Sequence, residues 1–221
     1  LGWLVVLGVV VGVGRPLARD LLRTWRSARL IRQLVHTAQP AEGGLRVVDS
    51  PVPLAAATAV GDEVLLSSAL VEALPPSLLS AVVAHERAHL RRWDPWRRVI
   101  AMLLSAGHLP ALRRTLLADL ELACEQASDE EAAVAVGDRV TVAQALLAVA
   151  RMAGSSAPPV GAVAFGASSV EARVDALLAE PVVEGRVFTE VVWLATATLV
   201  ALAAASPGHH MVEHLIELLG S

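Results

Sequence analysis

The sequence predicts a mainly α-helical protein that has one small β-hairpin and is embedded in a membrane. Of its 221 residues 55% are hydrophobic, and the mean hydropathy is +0.57. A soluble domain of this size is usually less apolar. The longer segments have the composition of helices, whereas Gly61 and Asp62 form a turn dipeptide between two short apolar runs.

Residues 1–14 carry no charge and are shorter than the roughly 20 residues that cross a bilayer. We expect them to be part of a transmembrane helix. In a signal peptide the basic residues precede the apolar segment, whereas here they follow it. They are Arg15, Arg19, Arg23, Arg26, Arg29 and Arg32. By the positive-inside rule, residues 15–43 form a cytoplasmic basic helix and linker.

A second transmembrane helix is predicted at residues 187–207, with Arg186 on its cytoplasmic side. The tail at 208–221, which includes His209, His210 and His214, would then be extracytoplasmic. A third apolar segment, residues 99–112, is shorter and has an arginine pair on each side. Charge at both ends argues against a crossing, so we expect a short hydrophobic hairpin or re-entrant segment.

The β-structure is predicted between the basic helix and the next helix. Residues 45–49 have the composition of a short strand, and residues 54–67 that of a hairpin about Gly61 and Asp62. Pro75 and Pro76 then predict the start of a helix, because proline is favoured in a first helical turn.

That helix contains the motif HExxH, formed by His85, Glu86 and His89. Residues four apart on a helix share one face, so both imidazoles can reach one metal ion, with Glu86 beside them. Zinc in a catalytic site takes three protein ligands and keeps one position open, and a neighbouring carboxylate can act as the general base. The motif therefore predicts zinc ligands at His85 and His89, with Glu86 as the base of a peptidase.

A third ligand is expected in the acidic helical segment at residues 118–133. Glu121, Glu125 and Asp129 are spaced four apart, so they lie on one helical face. Either Glu121 followed by Glu125, or Glu125 followed by Asp129, fits a ligand with a supporting acid one turn later. The spacing alone does not distinguish the two registers.

Residues 50–95 resemble the core of the integral-membrane gluzincins, especially the antirepressor peptidases of the BlaR/MecR type and their HtpX and Ste-type CAAX relatives. The resemblance continues through Asp94, through His108 to Pro110, and through Arg113 and Arg114. It extends to residues 127–147, where Ser128 stands in place of the usual cysteine. This register implies Glu125 as the third zinc ligand and Asp129 as a residue that orients a histidine. Glu121 is the fallback.

The resemblance implies a membrane-embedded HExxH (gluzincin) metallopeptidase domain at residues 44–180, with one Zn²⁺ per chain. It also implies that an edge strand near residues 55–58 binds the substrate backbone. Many gluzincins stabilise the oxyanion with Tyr, His or Arg; this chain has no tyrosine. His108, Arg113 and Arg114 are candidates for that role, which the sequence leaves unassigned.

Composition excludes some functions. The single cysteine, Cys124, excludes an intrachain disulfide and a cysteine zinc site, and a net charge of −4 gives no case for binding nucleic acid.

The expected partners are the lipid bilayer and a protein or peptide substrate, such as a cytosolic repressor, cleaved on the cytoplasmic side of the cell membrane. The alternatives are HtpX-like quality control of membrane proteins, or a catalytically silent transducer in which the metal joins two helices. The oligomeric state is not predicted.

Overall fold

The computed structural model describes residues 2–58, 63–154 and 167–179. The predicted helix at 187–207 and the tail at 208–221 lie outside these ranges. The described part is mainly helical, as predicted, and it contains a four-stranded mixed sheet where the sequence predicts a small β-hairpin. Its elements are α1 (Gly2–Thr37), β1 (Gln39–Ala41), β2 (Leu45–Val48), β3 (Ala55–Ala57), β4 (Val64–Ser67), α2 (Ser68–Ala73), α3 (Pro76–Arg91), α4 (Asp94–Leu104), α5 (Pro110–Val136), α6 (Arg139–Gly154) and α7 (Ala167–Leu178).

No helix within the described ranges is both long enough and apolar enough to cross a membrane. The predicted segment 1–14 falls in the N-terminal part of α1, which continues without a break through the arginine-rich residues that follow. The predicted domain boundaries at residues 14, 43 and 180 stay predictions.

The sheet has the strand order β1-β2-β4-β3. The predicted hairpin corresponds to the antiparallel pair β3 and β4, although its turn residues 59–62 are outside the described ranges. The pairing of β2 with β4 is parallel, and β1 adds an antiparallel edge that the sequence does not predict. Ser67 fixes the end of β4, because its buried hydroxyl accepts hydrogen bonds from the backbone N–H groups of Leu54 (2.9 Å) and Leu70 (3.2 Å).

The hydrophobic core lies where α3 meets β4, α5 and α6. Strand β4 contributes Val64 and Leu66, and α3 contributes Ala81, Val82 and Val83. The facing residues of α5 and α6 are mostly small, which lets the helix axes approach closely; they are Ala132, Ala133, Val142, Ala143 and Ala145. This packing holds the motif-bearing helix α3 directly against the acidic helix α5.

Helix α4 leaves α3 through a sharp turn at Trp93. This residue has φ 59° and ψ 31°, the left-handed conformation that non-glycine residues rarely adopt. The turn leaves Asp94 next to α3, where its side chain contacts that of His89. The segment 99–112, expected to be a hairpin or re-entrant, comprises the end of α4, a turn, and the start of α5 at Pro110.

Candidate metal centre and active site

Three residues that the sequence singles out meet at the junction of α3 and α5. His85, His89 and Glu125 form a group that could hold a metal ion, in the part of the chain that the structure describes. The two Nε2 atoms are 3.1 Å apart, and the Glu125 carboxylate oxygens lie 3.4 Å from Nε2 of His85 and 3.5 Å from Nε2 of His89. Ligand atoms at about 2.0–2.1 Å from a tetrahedral zinc ion are about 3.3 Å apart. The three donors therefore fit a zinc ion.

The remote nitrogen of each imidazole faces a carboxylate. Nδ1 of His89 is hydrogen-bonded to Oδ2 of Asp94 at 2.8 Å, and Nδ1 of His85 lies 2.9 Å from Oδ1 of Asp129. We assign the Nδ1 proton of His89 to its hydrogen bond with Asp94 and that of His85 to its close contact with Asp129, which leaves the Nε2 lone pair of each ring available to a metal ion. Two lone pairs 3.1 Å apart need a cation between them. The contact of Asp129 with His85 is the one that the resemblance implies.

The same carboxylates control the proton affinity of the site. Burial alone lowers the pKa of His85, but contacts with Asp129 and Glu125 outweigh it and raise the pKa to about 9. Burial likewise opposes the charge of Glu125, yet its contacts with the two histidines hold its pKa well below the usual range. Without a metal the site therefore keeps a proton, and a divalent cation would replace it.

Glu86 lies beside the three donors rather than among them. Its Oε2 accepts a hydrogen bond of 2.8 Å from the backbone N–H of Ala57 in β3. Since β3 is at the edge of the sheet, this contact holds the strand next to the base, and it leaves the second carboxylate oxygen of Glu86 free of that contact. The structure thus places strand residues 55–57 where the resemblance implies a substrate-binding edge.

Sequence reasoning missed Arg173, which reaches the site from α7. Its guanidinium donates two hydrogen bonds of 2.7 Å to Asp129, and Nη1 lies 3.1 Å from Oε2 of Glu125. Only 3% of the side chain is exposed. Neither a motif nor a spacing marks this arginine, because its contacts with α5 span more than forty positions of sequence.

Arg98 is the second missed residue. The sequence suggests that it flanks a membrane segment, but its Nη2 donates a 2.7 Å hydrogen bond to Oε1 of Glu125. The side chain is 36% exposed, so it sits at the opening of the site. Ser128, the residue that departs from the usual cysteine, is buried and donates a 3.2 Å hydrogen bond to Asp94, which helps to fix the partner of His89.

Several candidates lie elsewhere. Glu121 is one turn before Glu125 and is not part of the three-residue group, so the structure favours the Glu125 register. Arg113 donates a 2.8 Å hydrogen bond to Asp20 of α1. His108 lies in the turn between α4 and α5, and Arg114 is exposed.

Burial raises the pKa of the Cys124 thiol to about 11, so this cysteine is an unreactive core residue.

Comparison with known proteins gives one match. The family model described as peptidase family M48 matches residues 22–179, which is more than half of the chain. No curated protein and no solved structure matches.

Proposed function

The chain belongs to peptidase family M48, and from this premise we propose that it is a zinc-dependent endopeptidase whose ligands are His85, His89 and Glu125. Family membership confirms the expectation of a metallopeptidase. The narrower resemblance to BlaR/MecR peptidases stays a prediction. The observation that carries the proposal is the grouping of His85, His89 and Glu125: the two Nε2 atoms are 3.1 Å apart, and each lies 3.4 to 3.5 Å from one oxygen of the Glu125 carboxylate, close to the edge of a zinc tetrahedron.

A zinc ion held by these donors would supply the Lewis acidity that polarises a peptide carbonyl and makes water acidic enough to attack. Glu86 takes the proton from the attacking water and then gives it to the nitrogen of the departing amine. The hydrogen bond from Ala57 fixes Oε2 of this carboxylate, so Oε1 is the atom that moves the proton. A substrate strand lying along β3 would pass directly over Glu86.

We assign stabilisation of the tetrahedral oxyanion to Arg98. Among the described residues, the two arginines that contact Glu125 are Arg98 and Arg173. Arg173 is buried and held by two hydrogen bonds to Asp129, whereas Arg98 is partly exposed and makes one to Glu125. A short side-chain rotation would carry the Arg98 guanidinium from Glu125 to a bound carbonyl oxygen, where positive charge is most useful. This assignment replaces the three candidates considered from the sequence.

For location and substrate we propose a cell-membrane protein whose active site faces the cytosol and cleaves a regulatory protein, such as a transcriptional repressor. The support is the uncharged segment 1–14 with arginines after it, and the apolar segment 187–207 with Arg186 before it. The substrate part rests on the resemblance to antirepressor peptidases.

The test combines metal content and cleavage on detergent-purified full-length protein. Wild type should carry about one zinc per chain. Glu125→Ala should lose most of it, whereas Glu121→Ala, the control from the rejected register, should keep it. Glu86→Gln should keep zinc but lose cleavage of an unfolded protein substrate by at least about 10³-fold. Zinc without cleavage in the wild type would leave a transducer whose metal joins two helices.

A further inference from the structure

Helix α4 exposes a continuous apolar face. Trp96, Ile100, Leu103 and Leu104 follow the spacing that places residues on one side of a helix. Their exposed fractions are 55%, 53%, 49% and 43%. We call these four residues the α4 apolar face. Large exposed apolar side chains also flank it in the sequence, at Trp93, Leu109 and Leu112. A contiguous patch of this kind marks an interaction surface.

The opposite side of the same helix faces the metal centre. Asp94 and Ser105 are buried, and they lie with Arg98 about half a turn away from the apolar face. Asp94 hydrogen-bonds His89, and Arg98 hydrogen-bonds Glu125. Helix α4 is therefore a single layer between the candidate active site and the exposed patch.

We propose that the α4 apolar face lies in the headgroup and upper acyl layer of a bilayer that contains anionic lipid. Its mixture of tryptophan and aliphatic side chains is typical of an interfacial helix. The surrounding charge also fits. Arg97 lies on α4 next to the apolar face, with 31% of its side chain exposed, and Arg114 at the start of α5 is exposed. Arginines beside apolar residues complement anionic headgroups.

This placement narrows the substrate class, and that step rests on the proposed function. Among the described residues α4 is the layer between them, so the metal centre stands about 10 Å, the thickness of one helix, from the headgroups. A polypeptide segment close to the bilayer surface can reach the site without unfolding over a long distance. The substrates are therefore membrane-proximal segments of proteins, and a soluble regulatory protein would have to be drawn to the surface first.

The surface is tested with nitroxide spin labels on full-length protein in bilayers of phosphatidylcholine and phosphatidylglycerol. Cysteines at Ile100→Cys and Leu103→Cys report on the face, and Val134→Cys, at the residue that is 82% exposed on α5, is the matched control. The native Cys124 is buried with a raised pKa and will not compete for the label.

We expect labels at 100 and 103 to be relaxed mainly by dissolved oxygen, as in lipid, and the label at 134 mainly by a water-soluble nickel chelate. Chelate access at 100 and 103 equal to that at 134 would overturn the proposal, since the face would then be in water. Protection of 100 and 103 from both reagents would also overturn it, because a second copy or another segment of this chain would then cover the face.

A kinetic test addresses the substrate class. The double variant Ile100→Glu with Leu103→Glu should lose about tenfold in kcat/KM on a peptide tethered close to lipid, and should cleave the same peptide free in solution at the wild-type rate. Equal loss on both peptides, or no loss on either, would overturn the substrate inference. Because spin-label accessibility does not depend on cleavage, an inactive wild type would refute the proposed peptidase and leave the membrane contact standing.

Discussion

The two carboxylates behind the histidines should have different effects when neutralised. Asp94→Asn and Asp129→Asn each remove the charged partner of one imidazole. Loss of such a partner lowers metal affinity by about 10- to 100-fold, or about 1.4 to 2.7 kcal/mol. We expect both variants to show this loss in a zinc titration against a chromophoric chelator.

Only the change at Asp129 should also destabilise the fold strongly. Asp129 is the bidentate partner of Arg173, which is 3% exposed, so its neutralisation leaves a buried guanidinium with Glu125 as the remaining charged contact. Removing one partner of a buried ion pair lowers the free energy of unfolding by about 3–5 kcal/mol. Because Arg173 keeps its contact with Glu125, we expect a loss near the lower end of this range. Asp94 pairs instead with the partly exposed Arg92 and Arg97, so water can solvate these arginines when the carboxylate is neutralised.

The assay is thermal unfolding of the metal-free proteins in detergent, beside Asp119→Asn, an exposed aspartate of α5, as control. The midpoint should fall much further for Asp129→Asn than for Asp94→Asn, and the control should match wild type. Arg173→Met added to Asp129→Asn should recover part of the loss, because no buried charge then lacks its partner. Equal destabilisation by the two single variants would refute this account of Arg173.

Three further predictions concern different parts of the chain. Ser67→Ala should lose about 1–3 kcal/mol of unfolding free energy, because two backbone N–H groups lose their acceptor, whereas the exposed Ser80→Ala should not change thermal unfolding. Zinc affinity should rise by at least about tenfold per pH unit from about pH 6 to about pH 8, since the pKa values of His85 and His89 are both raised and zinc must displace the protons they hold; a flat titration would contradict this. Arg98→Ala should lower kcat by about 10²- to 10³-fold while retaining zinc, and Arg114→Ala, the control, should keep the wild-type kcat. An Arg98→Ala variant as active as wild type would mean that another group stabilises the oxyanion.

The part of the site that could be predicted from the sequence is the part built within single helices. His85 and His89 are close together because they are one turn apart on α3, so their spacing alone predicts that both can bind one metal ion. Spacing alone does not distinguish Glu121 from Glu125, and the resemblance to gluzincins implies Glu125. The packing of α3 on α5 through small core residues gives the physical reason, because it brings Glu125 to the histidines.

The parts that could not be predicted depend on contacts between distant segments. Arg173 and Arg98 are ordinary arginines in amphipathic helices until the fold turns them toward Glu125. Strand β1 consists of three exposed residues with no apolar alternation, and the parallel pairing of β2 with β4 joins strands that are not adjacent in sequence. Neither leaves a periodic signal in the sequence.

A substitution at Trp93 tests whether this residue contributes to the lipid contact of α4. Its left-handed conformation costs a residue with a Cβ about 1–2 kcal/mol, whereas asparagine tolerates this conformation. The Trp93 side chain is 66% exposed, so it contributes little packing that would offset the strain. Trp93→Asn should therefore raise the unfolding free energy in detergent by about 1 kcal/mol.

The same substitution should weaken the lipid contact, which can be read from the oxygen accessibility of a label at Ile100→Cys in bilayers. A gain in stability together with a loss of lipid contact would mean that the tryptophan is kept for its exposed ring and not for the turn. A loss of stability in Trp93→Asn would instead show that the ring packs against the protein, and would remove Trp93 from the membrane-facing surface.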